Sequence, residues 1–96
     1  MSAFIVAKIT IKDPDRYKEY AEKFWPTLQA FGGTMLIRGT FVEPLNRDSD
    51  HDLAAVMHFP DKEAMLGWYR SADYQALIGM RNEVADMVVS AYEAFD

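Results

Sequence analysis

The stretch Trp-Tyr-Arg-Ser-Ala-Asp-Tyr at residues 68–74, continuing to Arg81, predicts a helix that breaks and restarts. The apolar stripe of the first helix ends at Ser71, whose hydroxyl suits the N-cap of an adjoining helix over residues 72–85. Asp73 is favourably placed in the first turn of this second helix. The helical pair lies between the third and fourth strands that the sequence predicts, and this position decides the fold class.

Alternating apolar and polar residues predict strands at 3–11, 34–43, 53–59 and 87–95. A first helix is expected from Asp13-Pro14 to Gly32-Gly33, with a kink over residues 22–25 because Pro26 removes a backbone hydrogen bond. The order is strand, helix, strand, strand, helix, strand within one domain over residues 1–96. This order is typical of a ferredoxin-like α+β sandwich, a four-stranded antiparallel sheet with helices on one face.

The amino-acid composition argues against several classes of function. The net charge of -5 and the scattered basic residues argue against a nucleic acid or an anionic membrane as partner. The chain has no cysteine, which excludes disulfides, thiolate catalysis and Cys-based metal sites, and fits a cytoplasmic protein. The first residues have no signal-peptide pattern, and no membrane span is expected.

Both faces of the predicted sheet are largely apolar, although helices cover only one of them. Five apolar residues on one face (Leu36, Val42, Ala54, Val56, Val88) oppose five on the other (Met35, Ile37, Ala55, Met57, Val89). A homodimer formed sheet against sheet is the simplest cover for the second face. The alternative is that these side chains are merely exposed, as scattered apolar residues often are.

Several short motifs together resemble a known family. They are Gly32-Gly33, Arg38-Gly39, Phe59-Pro60, Trp68-Tyr69 with Ser71 and Tyr74, and Arg81, preceded by a first helix with Asp-Pro, Tyr and Trp-Pro. The pattern is similar to the bacterial family called domain of unknown function 1330, in the dimeric α+β barrel superfamily. The resemblance implies a ferredoxin-like monomer and a homodimer with a β-barrel core, and it implies no reaction. An acidic segment at 45–52 and a missing glycine before the third strand depart from the family pattern.

Charged side chains on the strands are the first candidates for chemistry. Arg38, His58 and Lys8 each interrupt an apolar or neutral strand face, and they converge if they share one face. Arg38 would bind a carboxylate or enolate oxygen, and His58 would exchange a proton near neutral pH. Alternatively, Arg38 pairs with Glu43 or Glu93, and His58 is a satisfied, half-buried imidazole.

Arg81 lies on the inner stripe of the second helix, where a guanidinium needs an anion or several carbonyls. The partner is either internal, such as Asp86 or Glu63, or a bound anionic ligand. Tyr74 and Arg81 are two turns apart and so line one groove. Trp68 is expected to belong to the core with one exposed edge, which makes it a candidate ligand contact, while Ser71 is mainly a helix cap.

The loop at 48–52 begins like a calcium loop, but Leu53 and Phe59 stand where an EF-hand needs glycine and glutamate. A solvated acidic loop is therefore favoured over a loose divalent site at His51, and no metal or other cofactor is expected.

Two main hypotheses for function stay open. In the first, a cofactor-independent enzyme binds a small organic acid or carbonyl compound. Arg38, Trp68, Ser71 and Arg81 contact the ligand, and His58 or Tyr74 moves a proton. In the second, a non-catalytic dimeric binding or stress-response protein uses the same pocket. A purely structural dimer with internal ion pairs is the third possibility.

Overall fold

The computed structural model describes residues 1–95, which form four strands and four helices. In chain order they are β1 (Ala3–Ile11), α1 (Pro14–Gln29), β2 (Thr34–Thr40), β3 (Leu53–Phe59), α2 (Lys62–Arg70), α3 (Ala72–Gln75), α4 (Ile78–Val84) and β4 (Ala85–Glu93). The strands form one antiparallel sheet in the order β2-β3-β1-β4. This confirms the predicted ferredoxin-like α+β architecture.

The helix starts follow from local hydrogen bonding. The side chain of Asp13 accepts from the backbone N–H of Arg16, and that of Asp61 accepts from the N–H of Ala64. Each carboxylate satisfies a donor that the first helical turn leaves free, as the sequence predicts. Helix α1 continues through Pro26 to Gln29. It is followed by Gly32 with a φ of 75°, a conformation that favours glycine.

The second helical region differs from the predicted single helix over residues 72–85. It is divided into α3 and α4, and β4 begins at Ala85, two positions before the predicted start at Met87. Ser71 is the N-cap of α3, as predicted, because its hydroxyl accepts from the N–H of Tyr74 at 3.2 Å. Strand β2 ends at Thr40 rather than residue 43.

The core lies between the helices and the sheet face that they cover, called here the helix face. Strand β1 alternates as expected, with Ala3, Ile5, Ala7 and Ile9 buried on this face. The largest fully buried side chains come from both layers and are Trp68, Tyr74, Phe59, Leu28 and Val84.

The opposite sheet surface, called here the outer face, is largely apolar and is not covered by helices. Phe4 and Tyr92 stack on it with ring centroids 5.2 Å apart. On the same surface Ile37 is 66% exposed and Val88 is 50% exposed. Within residues 1–95, no helix is long and apolar enough to cross a membrane.

A β-bulge in β2 changes which face its side chains occupy. Met35 pairs with Met57, but the register shifts before Ile37, which pairs with Val56 on the outer face. Arg38 consequently pairs with Ala55 and lies on the helix face. The predicted grouping of Met35 and Ile37 on one face is therefore wrong, because an extra residue in one strand reverses the alternation beyond it.

Candidate functional site

A cavity of about 680 Å³ lies between α1 and the helix face of the sheet. Its volume is in the range of ordinary small-molecule sites. The sheet contributes an apolar floor made of Ala7, Ile9, Met35, Ala55, Met57, Met87 and Val89. Phe24 and Trp68 close the far side with their rings 5.9 Å apart, edge to face. The exposed side chains Lys18, Glu22, Trp25 and Arg38 also line the cavity and form its polar rim.

Two of the residues that line this apolar cavity are tyrosines. Tyr20 of α1 and Tyr74 of α3 are both buried, both line the cavity, and their hydroxyl oxygens are 2.9 Å apart. Behind them, the guanidinium of Arg81 donates to the Tyr74 hydroxyl and to the Tyr69 hydroxyl, each at 3.3 Å. These four side chains, Tyr20, Tyr69, Tyr74 and Arg81, are called here the tyrosine cluster.

The cluster draws one residue from each of the four helices. Arg81 is half-buried and is not among the residues that line the cavity. Neither Asp86 nor Glu63 forms the internal ion pair that the sequence suggested, and no other carboxylate of residues 1–95 is within ion-pair distance of Arg81. The cation therefore acts on the cavity through Tyr74.

Burial and hydrogen bonding set the protonation of the cluster. Burial, followed by the proximity of Tyr74, raises the pKa of the Tyr20 phenol far above its ordinary value. Burial is the largest single influence on Arg81 and lowers its pKa. The hydrogen bonds to Tyr69 and Tyr74 outweigh this, so the pKa is raised above its ordinary value. At neutral pH the cavity thus contains a neutral phenol beside a phenol that accepts from a cation.

Trp68 and Ser71, both predicted to contact a ligand, differ in their position relative to the cavity. Trp68 lines the cavity with its ring, while its indole N–H donates to the Thr27 hydroxyl at 3.1 Å. Ser71 does not line the cavity, and its hydroxyl donates to the Trp68 carbonyl at 2.7 Å while it caps α3. Ser71 fixes the junction of α2 and α3 and so helps to aim Tyr74, which follows it by three residues.

The three charged strand residues do not meet at one site, although Lys8 and Arg38 both border a second, smaller cavity that His58 does not line. Arg38 lines the cavity, and its charge opposes the rise in the pKa of Tyr17 that burial produces. His58 and Lys8 lie on the outer face, where His58 pairs in register with Phe4 and Lys8 with Ala54. Arg38 has no ion pair within residues 1–95, with Glu43 and Glu93 included.

Tyr20 is the site residue that sequence reasoning missed. Its place in the apolar stripe of α1 indicated only a core position, and its burial agrees with that interpretation. A buried phenol needs a hydrogen-bond partner, and this requirement was the available signal. No group of three metal-ligating side chains occurs in the described part of the chain.

The family assignment follows from a comparison of the whole sequence. A sequence model of the family described as domain of unknown function (DUF1330) matches residues 2–95. The chain belongs to the DUF1330 family. A search of functionally curated proteins gives no match.

Solved structures share the fold of this DUF1330 protein at low sequence identity. A protein of unknown function from Rhodopseudomonas palustris has a TM-score of 0.79 and 15% identity, over 99% of this chain and 83% of that one. A dimeric ferredoxin-like protein of unknown function from Jannaschia sp. CCS1 has a TM-score of 0.75 and 14% identity, over 98% and 100%. SnoaB, a cofactor-independent oxygenase from Streptomyces nogalater, has a TM-score of 0.71 and 11% identity, over 99% and 94%. At these identities the similarity shows the fold alone.

Proposed function

We propose that this DUF1330 protein is a homodimeric, cofactor-independent enzyme that acts on a small, largely apolar compound with a carbonyl or anionic oxygen. The proposal rests on one observation. The apolar cavity is lined by Tyr20 and Tyr74, whose hydroxyls are hydrogen-bonded to each other, and Arg81 donates to the Tyr74 hydroxyl. A core with a purely structural role is not expected to combine an open cavity with a half-buried cation that lacks a carboxylate partner.

Different surfaces of the cavity would bind different parts of the compound. The Met-rich floor and the rings of Phe24 and Trp68 would hold the apolar body of the compound. The hydrogen-bonded pair of hydroxyls on Tyr20 and Tyr74 would supply a donor to an oxygen that gains negative charge as the compound reacts. Such stabilisation is strongest where donors are already in place and water is excluded. Arg38 at the rim is free to bind a carboxylate.

A second copy of the chain is proposed to cover the outer face. Exposed Ile37 and Val88, together with the stacked Phe4 and Tyr92, form an apolar surface that a lone domain would leave in water. The Jannaschia structure, similar in fold, is described as dimeric. Because the outer face is opposite the cavity, a dimer of this kind leaves the cavity accessible.

A non-catalytic binding protein is the second candidate. The lack of an evident base favours it: among residues 1–95, Glu22 is the only carboxylate that lines the cavity, and it is exposed at the rim. His58, which was expected to exchange a proton, lies on the outer face, and burial raises the pKa of Tyr20, so its phenol stays protonated at neutral pH and cannot accept a proton. A reaction would then depend on Tyr74, or on a compound that supplies its own proton acceptor.

A ligand screen tests the proposal and separates its two forms. Thermal unfolding is measured with a panel of phenols, aromatic acids and 1,3-diketones, since a ligand of the folded state raises the melting temperature. Ala55→Phe fills the cavity and should abolish every shift, whereas Ala30→Phe, at an exposed position outside the cavity, should preserve them.

Each compound that binds is then incubated with the protein in air and analysed by mass spectrometry. A new product that Ala55→Phe does not form supports the enzyme. Recovery of every compound unchanged supports the binding protein. Absence of any shift across the panel, or shifts that Ala55→Phe retains, would contradict a ligand site in this cavity.

A further inference from the structure

The tyrosine cluster has more hydrogen-bond donors than acceptors. A guanidinium carries five N–H donors and no acceptor, and each phenol carries one donor. Within residues 1–95 the acceptors that meet these groups are the phenol oxygens themselves and the side-chain oxygen of Asn82, which receives Arg81 Nε at 3.3 Å. A ligand atom that forms a further hydrogen bond with this cluster is therefore an acceptor rather than a donor.

Counting protons identifies one unused hydroxyl hydrogen at the cavity. Tyr20 and Tyr74 together have two hydroxyl protons, and the single bond between them uses one. The bond from Arg81 to Tyr74 adds a further donor and no acceptor. Whichever tyrosine donates in the mutual bond, one O–H remains without a protein acceptor in the described structure, and both hydroxyls belong to cavity-lining residues.

The hydrogen bond from Arg81 determines which of the two tyrosines has the unused hydroxyl hydrogen. An oxygen that accepts from a cation becomes a better donor through its own hydrogen, because hydrogen bonds in a chain polarise one another. Tyr74 accepts from Arg81 and therefore donates to Tyr20 in the favoured arrangement. The chain runs from Arg81 to Tyr74 to Tyr20, and the free hydrogen belongs to Tyr20.

We infer that Tyr20 is the specificity-determining residue of the cavity and that its hydroxyl selects an ionised oxygen, such as an enolate or a phenolate. Tyr74 and Arg81 are positioning residues that act on the ligand through Tyr20. The inference deepens the proposed function and rests on it, because it assumes that the cavity binds a small molecule. It adds the charge state of the preferred ligand and the donor that recognises it.

The bound pKa of 4-nitrophenol is the direct test, because the neutral and ionised forms of this probe differ in colour. Donation from Tyr20, polarised through Tyr74, should lower the pKa of the bound probe by about one unit relative to water. Tyr20→Phe should abolish the lowering and leave the bound pKa at or above its value in water, because the apolar cavity alone disfavours the ionised form, and it should weaken binding of the ionised probe about tenfold. Arg81→Met should also reduce the lowering, and it leaves the Tyr20 hydroxyl in place.

Tyr69→Phe is the matched control. It removes the same chemical group and another hydrogen bond from Arg81, but Tyr69 does not line the cavity. Its affinity for the probe should stay within about twofold of the unaltered protein. Circular dichroism on each variant shows whether it is folded.

The outcomes separate the inference from the proposed function. A lowered bound pKa that depends on Tyr20 and not on Tyr69 supports both. A probe that binds in the cavity with an unshifted pKa, or with a shift that Tyr20→Phe retains, overturns the role of Tyr20 and leaves the proposed function standing. A probe that Ala55→Phe fails to exclude overturns both.

Discussion

The hydroxyl oxygens of Tyr20 and Tyr74 lie 2.9 Å apart, although 54 positions separate the two residues in the sequence. The contact joins α1 to α3 at the inner end of the cavity, and both side chains are buried. The same pair connects two helices and places a donor at the cavity. Both the stability of the protein and its affinity for a ligand should therefore depend on this hydrogen bond.

A double-mutant cycle should detect this contact. Tyr20→Phe and Tyr74→Phe should each lower the free energy of unfolding by about 1 kcal/mol, and their coupling should be about 0.5–1.5 kcal/mol. The coupling is favourable because either single change leaves the other hydroxyl without its partner. Urea denaturation of the four proteins measures it, and additive effects would mean that the two hydroxyls do not interact.

Stability should fall in alkaline solution because of Tyr20. Its folded-state pKa is raised above the ordinary 10.0 of an unfolded tyrosine, so its contribution is complete below that value. As the pH rises further, the unfolded chain loses the phenolic proton first, and stability declines by up to about 1.4 kcal/mol per pH unit. Urea denaturation between about pH 9 and pH 11 should show a shallower decline in Tyr20→Phe. Parallel declines in the two proteins would assign the effect to other groups.

Two glycines should respond oppositely to alanine. A Cβ at Gly33 would lie 2.7 Å from Leu28 Cγ and 2.8 Å from Phe59 Cε2, so Gly33→Ala should destabilise by about 1–3 kcal/mol. At Gly79 in α4 a Cβ meets nothing within 4 Å, and Gly79→Ala should stabilise by about 0.5–1 kcal/mol. A raised melting temperature for Gly33→Ala would contradict the tight packing at Gly33, and a lowered one for Gly79→Ala would contradict the open space at Gly79.

The element order and the helix caps could be predicted because they depend on local signals. Asp13 and Asp61 precede helices, Gly32 follows one, and β1 alternates without interruption. The face of Arg38 could not be predicted in this way. The bulge between Met35 and Ile37 is an irregularity in the pairing of β2 with β3, and alternation within β2 alone contains no sign of it.

The site was predictable only in part for a similar reason. The position of Arg81 on an inner helix face indicated an unusual environment. Tyr74, expected to share a groove with Arg81, accepts its hydrogen bond, but Arg81 does not line the cavity. The remaining partners, Tyr20 and Tyr69, come from two other helices and meet Arg81 and Tyr74 only after folding. His58 was a candidate because it interrupts an apolar strand, and pairing of β3 with β1 places it on the outer face.

The outer face should mediate dimer formation. Val88→Glu places a carboxylate beside Lys8 of β1, where a monomer tolerates it, but burial of that charge against a second copy is costly. Sedimentation velocity should show a dimer for the unaltered protein and a monomer for Val88→Glu. Leu45→Glu, in a loop position that is 91% exposed, should remain dimeric. A monomeric unaltered protein would remove the proposed dimer and leave the cavity unaffected.

The crystal structure of the protein bound to 4-nitrophenol tests the central claim most directly. The ring should lie in the cavity beside Trp68 and Phe24, with its phenolate oxygen about 2.7 Å from the Tyr20 hydroxyl oxygen. A probe bound on the outer face near His58, or in the cavity with its oxygen turned away from Tyr20, would contradict it.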